Sequence, residues 1–153
     1  MLDRSLTEFL ERGLAIHIGT RNAQMRPNGC RVTAVRVENQ GQHLVAYLPK
    51  AATPAVLEDL RSNGQAAVSL TRPIDDRAVQ VKGVFVSERD ADPAEEAFVL
   101  GQWNALLTEL DMMGLAALSS TSSWSMWPCV AVTLKVTAVF SQTPGPEAGA
   151  VLA

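Results

Sequence analysis

Residues 77–86, RAVQVKGVFV, set an amide and an ammonium two positions apart in a run of β-branched and aromatic residues. Along a strand, side chains alternate, so Gln80 and Lys82 share one face while Val79 and Val81 take the other. A solvated sheet face carries such residues routinely. A bound ligand is the sharper alternative, since an amide offers donors and an acceptor and a lysine offers charge. Gly83 follows directly, and a glycine inside a strand marks a bulge or the close approach of another group.

Four other groupings could do chemistry. In YLPKAATPAVLEDL (47–60), Lys50 and Thr53 precede a helix that opens at Pro54. Helix-end amides beside an ammonium suit a phosphate, and Thr53 is placed to cap the helix. In CRVTAVRV, Arg31, Thr33 and Val35 fall on one face of a strand. The tail FSQTPGPEAG (140–149) is either a frayed end or a stiff clip. Trp124, Met126 and Trp127, in a serine-rich loop, fit a core or an interface better than a cofactor platform.

Several chemistries have no visible machinery. The chain has no G-x-G-x-x-G, no phosphate-binding G-x-x-x-x-G-K and no G-x-S-x-G. Two histidines and two widely spaced cysteines argue against a zinc site, and no metal is expected. No residue is assigned as catalytic. A cofactor that brings its own reactivity is the better expectation. A net charge of -3 speaks against nucleic acid. The longest apolar run is too short to span a bilayer, and two cysteines cannot staple a chain of 153 residues, so a cytoplasmic location is expected.

The elements that must position these residues follow from periodicity. Helices are expected over 3–13, 54–63 and from Asp92-Pro93 to about Leu110, within a helical insert at 93–118. Strands are expected over 14–21, 30–38, 43–49, 65–72, 77–89 and 129–142, with Pro27-Asn28-Gly29 in a turn. Six strands with short connections and few helices predict a mainly β, antiparallel barrel in one domain, 1–153.

The order LAIHIGTR, CRVTAVRV, HLVAYLPK, helix, QAAVSLTRP, RAVQVKG and FSQTPGPEAG resembles the pyridoxamine 5′-phosphate oxidase-like FMN-binding split-barrel family, in particular its small bacterial members. The resemblance implies a six-stranded split barrel that forms a homodimer with FMN in grooves between the chains. It places Arg31, Val32 and Thr33 along the flavin and Lys50 and Thr53 at its phosphate. Gln80 and Lys82 would reach the ring region, with Gln142, Thr143 and Pro144 close by. It implies a flavin-dependent oxidoreductase acting on a small molecule, with a flavin carrier or redox sensor as the alternative. The same barrel also serves deazaflavin and haem. The chain ends in GPEAGAVLA rather than a basic segment, which argues against vitamin B6 oxidation.

Overall fold

Alternating apolar positions become the ladders of one curled antiparallel sheet in the computed structural model, which describes residues 1–115 and 125–153. Its strands are β1 (Ala15–Arg21), β2 (Pro27–Val32), β3 (Ala34–Glu38), β4 (His43–Pro49), β5 (Gln65–Thr71), β6 (Ala78–Asp90) and β7 (Cys129–Ser141). The order across the sheet is β2-β1-β5-β6-β7-β4-β3. Its two margins, β2 and β3, are consecutive in the chain and separated only by Thr33.

Seven strands, not six, are therefore present among the described residues, and the difference lies in the expected strand 30–38. That segment starts earlier, at Pro27, and divides at Thr33. The Thr33 amide donates to Tyr47 O at 2.8 Å, which hands the chain from the β1 ladder to the β4 ladder. The break also corrects the expected alternation. Thr33 and Val35 are buried, and Arg31 alone of the three stays partly exposed.

Pro27, Asn28 and Gly29 do not form the β1–β2 turn. They pair with Arg21, Thr20 and Gly19. A proline is tolerated there because β2 is an edge strand. The turn is made by residues 22–26, where Asn22 Oδ1 accepts from Gln24 N and Arg26 N, both at 3.0 Å. Asn28 is instead held by the helix that follows β4: its amide donates to Asp59 Oδ2 at 2.8 Å, as does the Thr20 hydroxyl.

The barrel interior is filled by Ile16, Ile18, Leu44, Leu48, Val68, Val81, Leu134 and Val139. Helix α1 (Arg4–Leu10) adds Leu6, Phe9 and Leu10, and α2 (Pro54–Asn63) adds Val56, Leu57 and Leu60. Each such side chain contributes roughly 1.5–3 kcal/mol through removal from water. The bulge anticipated at Gly83 is present, with a register shift between Lys82 and Gly83. A Cβ on Gly83 would stand 3.0 Å from both Leu134 Cβ and Lys135 O, so no side chain fits there without movement.

Helix α3 (Glu96–Met112) covers the outside of β3, β4 and β7, where Val99 packs with Ala34, Val45, Tyr47 and Ala131. It docks through Gln102, which accepts from Val35 N at 3.1 Å and donates to Val35 O at 2.8 Å, satisfying the free edge of β3. The turn leading into it, opened by an Asp92–Glu95 capping box, brings Glu95 onto Tyr47 Oη at 2.7 Å, Arg89 Nη1 at 2.7 Å and Arg36 Nη1 at 3.4 Å. No helix of the described residues is long and apolar enough to cross a membrane.

Candidate functional site

Past the Thr33–Tyr47 bond, β2 and the end of β4 part, because no ladder joins them. A cleft of about 590 Å³ opens at this split. One wall is the outer face of β1 and β2, with His17, Gly29 and Arg31. The other is Pro49, Ala51 and Ala52, with Ser125 and Met126 closing one side. The volume falls within the range of cofactor and drug-sized sites, about 300–1,000 Å³.

Among the described residues lining the cleft, Arg31 carries the one full charge. Its guanidinium carbon lies 5.6 Å from the centroid of the Trp103 ring, on α3. His17 is the cross-strand neighbour of Arg31. Partial burial first, and the Arg31 charge second, hold its imidazole below the usual value, so it is neutral at pH 7. Burial pushes the Cys30 thiol up to about 11, which keeps it protonated and a poor nucleophile. The lining thus joins small apolar residues to one cation, a neutral imidazole and a hydroxyl.

Of the residues expected at a cofactor, the structure puts Arg31 in this cleft. Val32 points into the core, and the Thr33 hydroxyl donates to Met126 O at 3.0 Å. Residues 49–53 form a partition. Pro49, Ala51 and Ala52 face the cleft, while Lys50 and Thr53 face a second depression of about 340 Å³ that also contains Arg61, Glu88, Arg89 and Asp90. There Lys50 Nζ pairs with Asp90 Oδ1 at 2.7 Å. Thr53 occupies the N-cap position of α2 but does not cap with its side chain. It has helical φ and ψ, and its hydroxyl donates back to Lys50 O at 3.0 Å.

Gln80 and Lys82 lie on the outward face that also carries His17 and Arg31. The ladders align Arg31, His17, Ser69, Gln80 and Phe140 in one row, and Gly29, Gly19, Ala67, Lys82 and Ala138 in the next. At about 4.8 Å per strand, Gln80 stands roughly 14 Å from Arg31 across this row. The Lys82 ammonium sits 5.0 Å from the Phe140 ring centroid. At the far end of the face, the Thr143 hydroxyl accepts from Ala78 N at 3.0 Å, and Gln142 N donates to Ala78 O at 2.8 Å. Gln142 and Pro144 are exposed. The rest of the tail folds back on β7: Ser141 N donates to Ala150 O at 2.8 Å and Leu152 N to Val139 O at 2.7 Å.

Sequence reasoning did not single out Trp103, Cys30, Ala51, Ala52 or Ser125. None has a local signal: Cys30, Ala51, Ala52 and Ser125 meet at the cleft from distant parts of the sequence, and Trp103 touches Arg31 from α3. Met126 is buried against the cleft, whereas Trp127 packs with the β3–β4–β7 cluster under α3. Trp124 and the end of the expected insert, 116–118, lie outside the described residues. Among the described residues, no group of three His, Cys, Asp or Glu side chains could hold a metal ion.

No protein-family model and no curated protein sequence matches the chain. Solved structures do match. HupZ of Group A Streptococcus is 12% identical, with 97% of this chain and 100% of that one covered and a TM-score of 0.57. An FMN-binding protein from Syntrophomonas wolfei subsp. wolfei is 12% identical over 92% of this chain and 87% of that one, with a TM-score of 0.52. A protein from Lactobacillus delbrueckii, proposed to be a pyridoxamine 5′-phosphate oxidase, is 15% identical over 88% and 89%, with a TM-score of 0.53. The fold is that of the pyridoxamine 5′-phosphate oxidase-like split-barrel proteins.

Proposed function

We infer that the chain is a flavin-binding protein that takes FMN in the cleft at the split, as an oxidoreductase acting on a small molecule. The observation that carries this reading is the pairing, in one cleft of about 590 Å³, of small apolar wall residues with the Arg31 guanidinium. Such walls suit an isoalloxazine ring, and a guanidinium suits a phosphate or the negative edge of a reduced ring. A split-barrel relative in structure being an FMN-binding protein adds support. The residues present fit the group: Arg31 would hold the anionic part, Ala51, Ala52 and Met126 would flank the ring, and neutral His17 would offer one hydrogen bond. A bound flavin supplies hydride or electron transfer. The chain's own part is to bind, orient and exclude water.

The reading extends to a second copy of the chain. Across five strands the outer face carries a row of small residues, Gly29, Gly19, Ala67 and Ala138, broken by Lys82, so another sheet face can approach closely along it. Gln80 and Lys82, with Gln142, Thr143 and Pro144, lie too far across the face to share a ring with Arg31 in one chain. Association of two faces would bring the partner's set toward the cleft. Lys50 and Thr53 join the phosphate only if the Lys50–Asp90 pair opens, which makes Arg31 the first candidate for that role.

Titration of the purified protein with FMN and with riboflavin, followed by flavin fluorescence, tests the reading. FMN should bind more tightly than riboflavin, and Arg31→Ala should erase the difference. Absence of flavin binding would refute it. Haem is the second reading, favoured by neutral His17 as an axial ligand in the cleft. A Soret band lost in His17→Ala would establish it.

A further inference from the structure

Away from the cleft at the split, the geometry points to a second site: a pocket for a compact phosphoryl-type oxyanion where α1 packs against the β5–β6 hairpin. Arg12, Arg72 and Arg77 converge there with Ser5 and Glu8 around the ring of Phe9. Phe9 is 2% exposed and forms the floor. The Arg77 guanidinium carbon lies 4.1 Å from its centroid and that of Arg72 5.6 Å. Stacking on a ring holds a guanidinium by its flat face and leaves the in-plane N–H groups to meet an anion.

Charge matching identifies the occupant. Arg72 is balanced by Asp75, with Nε to Oδ1 at 2.9 Å, and Glu8 is balanced by Arg4 at 2.9 Å. Neither Arg12 nor Arg77 has a carboxylate within 4.0 Å among the described residues. Arg12 and Arg77 therefore enter no close ion pair at a pocket of about 120 Å³, and Asp75 acts on the Arg77 guanidinium only at longer range. The pocket is the space of roughly four waters at about 30 Å³ each. It has room for one tetrahedral dianion such as monohydrogen phosphate. The Ser5 hydroxyl adds a neutral donor. This pocket shares no residue with the cleft at the split, so it stands whether or not a flavin binds there.

The test is a titration of the full chain with inorganic phosphate and, separately, glycerol 3-phosphate, in a phosphate-free buffer of low ionic strength. It is read by NMR on the Phe9 amide and the arginine Nε–H signals. Saturable shifts at Phe9, Arg72 and Arg77 are expected. Arg77→Gln should weaken binding at least tenfold, Arg12→Gln should weaken it in the same direction, and Lys135→Gln on β7 should leave it unchanged. Arg12 is exposed, so its variant keeps the test valid if Arg77→Gln fails to fold. Equal binding of the ester identifies the phosphate end of a larger molecule as the occupant; binding of phosphate alone identifies the free ion. No saturable shift with either probe, or wild-type affinity in both arginine variants, overturns the proposal.

Discussion

Arg31 lies over the ring of Trp103, a residue 72 positions away in sequence. A guanidinium over an indole face contributes about 0.5–2 kcal/mol, depending on how dry the contact is. Trp103→Ala should therefore weaken FMN roughly 2- to 30-fold by fluorescence titration, with riboflavin affinity much less affected, while Trp103→Phe restores most of the loss. Removing the charge itself, in Arg31→Ala, should weaken FMN by about 1.5–3 kcal/mol, the usual worth of a hydrogen bond to a charged group. Glu95 gives a second residue-scale prediction. Arg89 first, and then the Tyr47 hydroxyl, hold its carboxyl at about 2, against 4.5 ordinarily. A depressed carboxylate stabilises the folded chain fully above about 4.5, and that contribution is lost as pH falls through 2. Urea melts between pH 5 and pH 2 should show falling stability. Glu95→Gln should lower stability at pH 7 and flatten that fall; parallel pH profiles for the two proteins would refute this role for Glu95.

At the scale of elements, α3 is the piece whose docking matters most for the cleft, since it carries both Gln102 and Trp103. Gln102→Leu would leave Val35 N–H and C=O without partners, at about 1–3 kcal/mol each. Denaturant melts should show that loss, and the Val35 amide should exchange faster with solvent. Gly13 makes the same junction from the other side: with φ +86, a Cβ there would lie 2.4 Å from Gln102 O. Gly13→Ala should thus destabilise by more than the roughly 1–3 kcal/mol of a left-handed backbone alone. The strands that meet here were legible in the sequence, because burial on one face leaves alternation behind. What alternation cannot show is where a strand changes partner. CRVTAVRV reads as uninterrupted in residue type, yet Thr33 turns inward to Met126 and splits it. Likewise nothing local distinguishes Thr53 from a capping threonine; Lys50 O takes its hydroxyl instead. Asp59 illustrates the converse case, since a carboxylate on the inner side of α2 looks misplaced until Thr20 and Asn28 arrive from another hairpin.

For the whole molecule, the uneven cover of the barrel carries the main expectation. Helix α3 shields β3, β4 and one end of β7, whereas among the described residues no helix covers the outer face of β2, β1, β5 and β6. Sedimentation should show a dimer, and Ala67→Arg on that face should yield monomers with weakened FMN binding. Dimers undisturbed by the substitution would move the contact elsewhere. The tail acts on the same scale. Its bonds to Val139 and Ser141 extend the sheet beyond the reach of β4, so truncation after Gln142 should lower the melting temperature and expose a strand edge prone to aggregation. The order of motifs conveyed the barrel class; the cleft lining was only partly conveyed, because Ala51, Ala52 and Cys30 are chemically plain residues given meaning by tertiary neighbours.

Because both rims of the sheet belong to one unbroken run of backbone, the curl is held by a single stitch at Thr33. A circular permutant with its new ends at that stitch would retain every pairing ladder yet lose the tie between its two margins. Such a molecule should unroll and recruit neighbouring copies edge to edge, whereas a permutant cut in the Asn22–Arg26 turn should remain closed.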